Sequence, residues 1–262
     1  MKKLIYVLLC LVALSANAQI TDTPKAAPVD SLKKDFKVRD TIQHLHSKPL
    51  AIIVPVGLVS YGLASLAITP IRNVDYYIAG RIRTSDPNFN STIDDYIQVA
   101  PIAMVYALNL VGDHGKNRFV DRTALLALSG GILTAADGLK FIAHRDRPYS
   151  HDPLSFPSGH TGAAFLAAEY LSQEYGDKSV IYPIIGYTFA TATSVMRLYN
   201  REHWFSDCVA GAGFGILSTK AAYLVYPYIR KKLTHKGKHG TSTMVMPTYQ
   251  DGVPGFAFAA QL

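Results

Sequence analysis

The sequence predicts an all-α protein built on a six-helix core bundle. Two observations predict the class. Six uncharged stretches, 49–71, 96–112, 123–136, 153–168, 179–196 and 208–219, are rich in Ala, Leu, Ile and Gly at helical spacing. No sustained alternation of period two runs through the chain, so a sheet has little support. Composition agrees: 262 residues, 49% hydrophobic and 17% charged, carry enough apolar material for one large core.

The elements follow in chain order. Residues 1–18 have the form of a secretory signal: Lys2 and Lys3, an apolar stretch from Leu4 to Leu14, then Ala16-Asn17-Ala18 as a small-residue cleavage site. Cleavage there starts the mature chain at Gln19. Leu9 before Cys10 is too large for a typical lipoprotein site. The mature chain then keeps one cysteine, Cys208, expected as a small buried hydrophobe on a helix. Residues 19–48 read as a polar linker leading into a short amphipathic helix from about Ser31. The helical domain is expected over 49–236. Within it, 73–95 carries Arg81, Arg83, Pro87 and several Asn and Asp, and reads as a partly helical excursion. Residues 237–262 form a tail behind a basic, glycine-containing link. It is expected to be extended and to pack on the bundle, because a lone strand needs something to pair with.

Charge narrows the partners. The net charge of +7 is concentrated in 25–48 and 230–238, with no regular basic stripe and no nucleic-acid motif. No nucleic-acid partner is expected; an anionic membrane surface or a phosphorylated substrate fits better. Of the six stretches only 49–71 passes cleanly as a span, and Pro49, Pro55 and Pro70 interrupt it. The 123–136 stretch is short and runs into Asp137 and Lys140. Mean hydropathy of +0.13 is low for six spans. A cleaved signal, six spans and an outward-facing site are mutually inconsistent, and the Lys/Arg distribution opposes that topology. The expectation is therefore a bundle in the bacterial envelope, periplasmic or attached to a membrane surface, that need not cross a membrane.

Three short motifs carry the chemistry. In the last, His203 and Asp207 are four residues apart at the expected start of the sixth helix, and so on one face. Asp207 could accept a hydrogen bond from one ring nitrogen of His203 and leave the other free to attack. A surface His/Asp pair is the plain alternative. In the second motif, Pro157-Ser158-Gly159-His160, Ser158 is a natural N-cap and Gly159 allows close backbone approach to an anion at the helix start. His160 beside it could protonate a leaving oxygen and then deprotonate water; the tetrapeptide alone is equally a helix cap. Lys140 and Arg147, seven apart, and Arg197, which precedes His203, supply three cations matching the three equatorial oxygens of a phosphoryl group in transfer. Each could instead pair with a nearby acid such as Asp137 or Asp146. Arg145 and His144 fall outside the expected site.

Together the motifs Lys140-(six residues)-Arg147-Pro148, Pro157-Ser158-Gly159-His160 and Arg197-(five residues)-His203-(three residues)-Asp207 resemble those of the type 2 phosphatidic acid phosphatase and vanadium haloperoxidase superfamily. The resemblance covers about 120–225. It implies that Lys140, Arg147 and Arg197 bind phosphate with Ser158 and Gly159. It makes His203 the nucleophile, Asp207 its orienting group and His160 the acid/base, with no metal and no cofactor. Met196 stands where the family usually has Ser. The implied activity is hydrolysis of a phosphate monoester or diphosphate, most readily a lipid-linked one such as lipid A, undecaprenyl diphosphate, phosphatidylglycerophosphate or phosphatidate. The short loop between Pro148 and Pro157, the basic tails, and Trp204 and Phe205 beside the nucleophile favour a lipid. A soluble periplasmic acid phosphatase, a vanadate-dependent haloperoxidase and a non-catalytic lipid-binding bundle are the alternatives.

Overall fold

The computed structural model describes residues 50–233, 242–250 and 253–261. The expected signal, linker and amphipathic helix lie outside the described residues. Every regular element of 50–233 is helical. In chain order they are α1 (Leu50–Ala67), α2 (Thr69–Ser85), α3 (Ile93–Ile97), α4 (Ala100–Leu110), α5 (Phe119–Asp137), α6 (Lys140–Ala143), α7 (Gly159–Tyr175), α8 (Ile181–Tyr199) and α9 (Phe205–Leu233). The six uncharged stretches fall on α1, α4, α5, α7, α8 and α9.

The count of six is too low. The segment 73–95 is partly helical, as its composition suggests, but its helices are full elements of the fold: it holds most of α2 and the first three residues of α3. Pro70 sits in the first turn of α2, where its missing N–H costs nothing. Asp86, restricted by the following Pro87, leaves helical geometry at φ −137° and ψ 69° and ends α2. The stretch 49–71 is likewise not one span. Ile68 is extended, and α1 and α2 meet at a 95° bend.

α7 is the central helix. It packs against α9 on one side and α8 on another, and α9 also lies along α1 and α5. Close approach of α9 to α7 requires Gly211 and Gly215. A Cβ on Gly211 would strike the Ser158 carbonyl, and one on Gly215 the Gly162 carbonyl. Tyr170, Leu171 and Tyr175 of α7 pack with Val105, Leu125 and Tyr223 in the buried core. At the C-terminal end of α7, roughly 20 Å along the helix from His160, Arg122 and Glu174 form a fully buried ion pair at 3.1 Å. Tyr223 donates to Glu174 at 2.6 Å, so the carboxylate is hydrogen-bonded as well as paired.

The outer surface is unusually apolar. Leu110, Val120, Phe141 and Ile142 are each at least two-thirds exposed. Phe119–Ala143 and Phe205–Lys232 are long and apolar enough to cross a membrane, and the bent pair α1–α2 adds a third candidate if counted as one span. The sequence-based objection to 123–136 fails because the helical run begins at Phe119, and Asp137 and Lys140 fall at its end. Only 17% of the apolar window of Phe119–Ala143 is buried in protein, so that face requires an apolar surrounding. Membrane association follows from these helices.

The C-terminal segment is not a single strand. β1 (Ser242–Gln250) and β2 (Val253–Gln261) pair antiparallel with each other, Ser242 opposite Gln261 and Gln250 opposite Val253. Asp251-Gly252, which lies between them in sequence, is a dipeptide that strongly favours two-residue hairpins.

Candidate active site

The site is assembled where α7 and α9 begin and α8 ends, over the loop between α6 and α7. Ser158 caps α7: its Oγ accepts from the Thr161 N–H at 3.5 Å and donates to Thr161 Oγ1 at 3.1 Å. The Ser158 N–H donates to the Asp207 carbonyl at 3.1 Å, which joins the starts of α7 and α9. Gly159 is the first residue of α7 and His160 the second.

His203 is buried immediately before α9. Its Nδ1 lies 2.8 Å from the Ser155 carbonyl oxygen. A carbonyl only accepts, so Nδ1 carries the proton and Nε2 keeps the lone pair. Burial pushes the imidazole pKa well below its usual value, and the positive charges of Lys140, Arg197 and Arg147 push it the same way. The ring is therefore neutral at ordinary pH, with a nucleophilic nitrogen among three cations.

Asp207 does not hold His203, contrary to the sequence expectation. The i,i+4 argument fails because His203 precedes the helix, whereas Asp207 lies in its first turn. Asp207 instead caps the start of α9, accepting the Trp204 N–H at 3.0 Å, which is one half of a capping box. It also accepts Ser155 Oγ at 2.5 Å and Arg145 Nη1 at 2.6 Å. Its link to His203 is indirect: it anchors Ser155, and the Ser155 carbonyl orients the ring.

Arg145, left outside the site by sequence, is its main brace. Nη2 pairs with Asp75 of α2 at 2.7 Å and Nη1 with Asp207, and Nη1 also donates to Ser206 Oγ at 2.8 Å. Asp75 in turn accepts the Ser206 N–H at 2.8 Å. The arginine thus ties α2, the α6–α7 loop and α9 together. The available signal was the pair Arg145 and Arg147 flanking Asp146, but nothing local distinguishes which arginine faces which acid.

The three expected cations converge, each already engaged. Lys140 Nζ donates to the carbonyls of Pro157 and, at 3.4 Å, Leu154, rather than pairing tightly with Asp137. Arg147 pairs with Asp152 at 2.9 Å and with Glu202. Arg197 pairs with Asp94 of α3 at 2.9 Å and lies 3.4 Å from the same Glu202 oxygen. Glu202 therefore bridges the two arginines. Arg197 Nε is buried and donates to no atom of the described residues. His160 Nε2 donates to Asp95 at 2.9 Å. Its pKa is lowered, first by burial and then by Arg197, against the opposing pull of Asp95.

Trp204 and Phe205 follow His203 directly, and both are engaged with neighbouring elements. The Trp204 Nε1–H donates to the Asp146 carbonyl at 2.7 Å and its ring meets Tyr76 edge-on at 5.2 Å, while Phe205 meets Tyr61 edge-on. Both fasten α9 to its neighbours. Cys208 is buried and free, as expected.

The family model described as PAP2 superfamily matches residues 123–231. A lipid A 1-phosphatase of Porphyromonas gingivalis is 32% identical over 186 residues, 66% of this chain and 41% of that protein. A lipid A 4'-phosphatase of Helicobacter pylori is 27% identical over 139 residues, 50% of this chain and 68% of that protein. The chain thus spans well under half the length of the first of these relatives. A transmembrane PAP2-type phosphatidylglycerolphosphate phosphatase from Bacillus subtilis aligns at a TM-score of 0.47 and 17% identity, over 70% of this chain and 98% of that one.

Proposed function

We propose that this chain, whose residues 123–231 match the family model described as PAP2 superfamily, is a phosphatase of the bacterial envelope acting on a lipid-linked phosphate. The observation that carries the reading is the buried, neutral His203, its Nδ1 proton held by Ser155 and its free Nε2 set among Lys140, Arg147 and Arg197.

The chemistry proceeds in two displacements. The cations hold the phosphoryl oxygens, with the α7 N-terminus of Ser158 and Gly159 beside them. His203 Nε2 attacks phosphorus, an N–P bond forms and the P–O bond to the lipid breaks. His160 protonates the departing oxygen. It then takes a proton from water, which attacks phosphorus and breaks the N–P bond, releasing inorganic phosphate. The Ser155 carbonyl stabilises the positive charge on the phosphorylated ring, and Asp207 keeps Ser155 in place.

A lipid substrate is supported by the apolar exposed helices, which bring the site to a membrane. Both curated relatives are named for lipid A, which puts lipid A first among the candidates. The test uses the full chain in detergent with lipid A, undecaprenyl diphosphate and p-nitrophenyl phosphate. A phosphoenzyme that is acid-labile and base-stable should form with the wild type and vanish in His203→Ala. Undiminished turnover by that variant refutes the mechanism. Fast turnover of p-nitrophenyl phosphate alone refutes lipid specificity.

A further inference from the structure

Beside the phosphate cradle lies a cavity of about 310 Å³ lined by Arg83, Pro148, Tyr149, Asn200 and Arg201. Two of its walls are chain neighbours of the cradle. Pro148 and Tyr149 follow Arg147, and Asn200 and Arg201 precede Glu202, which bridges Arg147 and Arg197. The cavity is basic without compensation: two arginines line it and no carboxylate does. This is the reverse of the cradle, where Arg147 and Arg197 each contact two acids.

The two arginines are held but not neutralised. Arg83 of α2 places its guanidinium carbon 4.5 Å over the Tyr149 ring, a contact that orients the charge and leaves its N–H groups to a ligand. Arg201 donates through Nη1 to the Pro87 carbonyl at 2.9 Å, which steadies the side chain without cancelling its charge. The Asn200 amide is spent on Ser91 and Asp94, so it fixes the wall rather than reading a ligand. Tyr149 and Arg201 both adopt left-handed backbone, at φ 62° and 60°. Neither is a residue that favours this region. Strain of this kind persists where the surroundings impose it, and here it occurs twice in one cavity wall.

We propose that this cavity is a second anion subsite, binding a further phosphoryl group on the headgroup of the same substrate while the first sits between Arg147, Arg197 and Lys140. The subsite rests on the phosphatase reading for its purpose but not for its chemistry: two unpaired guanidinium groups bind a dianion whether or not turnover follows. It selects headgroups bearing two phosphoryl groups over those bearing one. The second group is either the outer half of a diphosphate or a separate monoester on the same headgroup.

Binding tests the subsite independently of turnover. The full chain in detergent is titrated calorimetrically with three non-hydrolysable probes. Methylphosphonate carries one anion, methylenebisphosphonate two adjacent ones and hexane-1,6-bisphosphonate two separated ones. One of the two bisphosphonates should bind at least tenfold more tightly than methylphosphonate, and which one does so tells the diphosphate from the separate monoester. Arg83→Gln with Arg201→Gln should remove most of that advantage and change methylphosphonate affinity less than twofold. Arg118→Gln, which lowers the net charge at an exposed position outside the cavity, should leave the advantage intact. The subsite is overturned if neither bisphosphonate binds more tightly, if the double variant weakens all three probes alike, or if Arg118→Gln has the same effect. Loss of turnover in every assay with the binding pattern intact would refute the phosphatase reading and leave the subsite standing.

Discussion

Replacing Glu202 with Gln isolates the carboxylate that now stands between Arg147 and Arg197, the two arginines proposed to hold phosphate. Its Oε2 contacts Arg147 and lies 3.4 Å from Arg197. A phosphoryl group entering the cradle must take over both contacts. The Glu202 side chain is 36% exposed and that of Arg147 26%, so solvent screens the pairs and each is worth the ~0.5–1 kcal/mol of a surface ion pair rather than a buried value. Together they oppose phosphate by about 1–2 kcal/mol, roughly a five- to thirtyfold weakening. Repulsion between Glu202 and a phosphate dianion acts in the same direction. Glu202→Gln should therefore lower the competitive inhibition constant of inorganic phosphate by roughly five- to thirtyfold at low ionic strength, with a smaller gain as salt rises. The assay is hydrolysis of p-nitrophenyl phosphate with phosphate added. An inhibition constant unchanged within about twofold, or raised, would show that Glu202 helps to build the cradle rather than competing for it.

Two further outcomes follow from the same geometry. Arg145→Lys leaves one nitrogen where two currently reach Asp75 and Asp207, so one buried carboxylate loses its partner. The expected loss is about 3–5 kcal/mol of stability, read as a lowered Tm in detergent, and an unchanged Tm would contradict the bracing role. His203 is held neutral when folded but gains a proton near pH 6.5 when unfolded. The unfolded state therefore binds more protons below about pH 6.5, and the stability linked to His203 is present above that pH and lost as pH falls. Lowering the pH from 7.5 to 5.5 should lower the Tm of the wild type more than that of His203→Gln. Equal losses would mean that the imidazole is not buried neutral.

Local pattern determined much of this protein. Six uncharged stretches at helical spacing became six of its helices, because an apolar face of period 3.6 has little choice but to form a helix and bury that face. The candidate site residues Lys140, Arg147, Ser158, Gly159, His160, Arg197, His203 and Asp207 are nominated by the same kind of evidence: each belongs to a short local signal. Partner choice was not legible. Asp75 and Arg145, Asp94 and Arg197, and Asp95 and His160 are 65 to 103 residues apart. All three acids come from the 73–95 segment, which local composition marks as only partly helical. His203 was assigned to Asp207 by spacing, yet the chain enters α9 only after His203 and turns its ring to Ser155. Spacing describes neighbours on one helix. Which acid meets which base across the fold is decided when α2, α3, α7 and α9 pack, because only then do burial and desolvation make one pairing better than another.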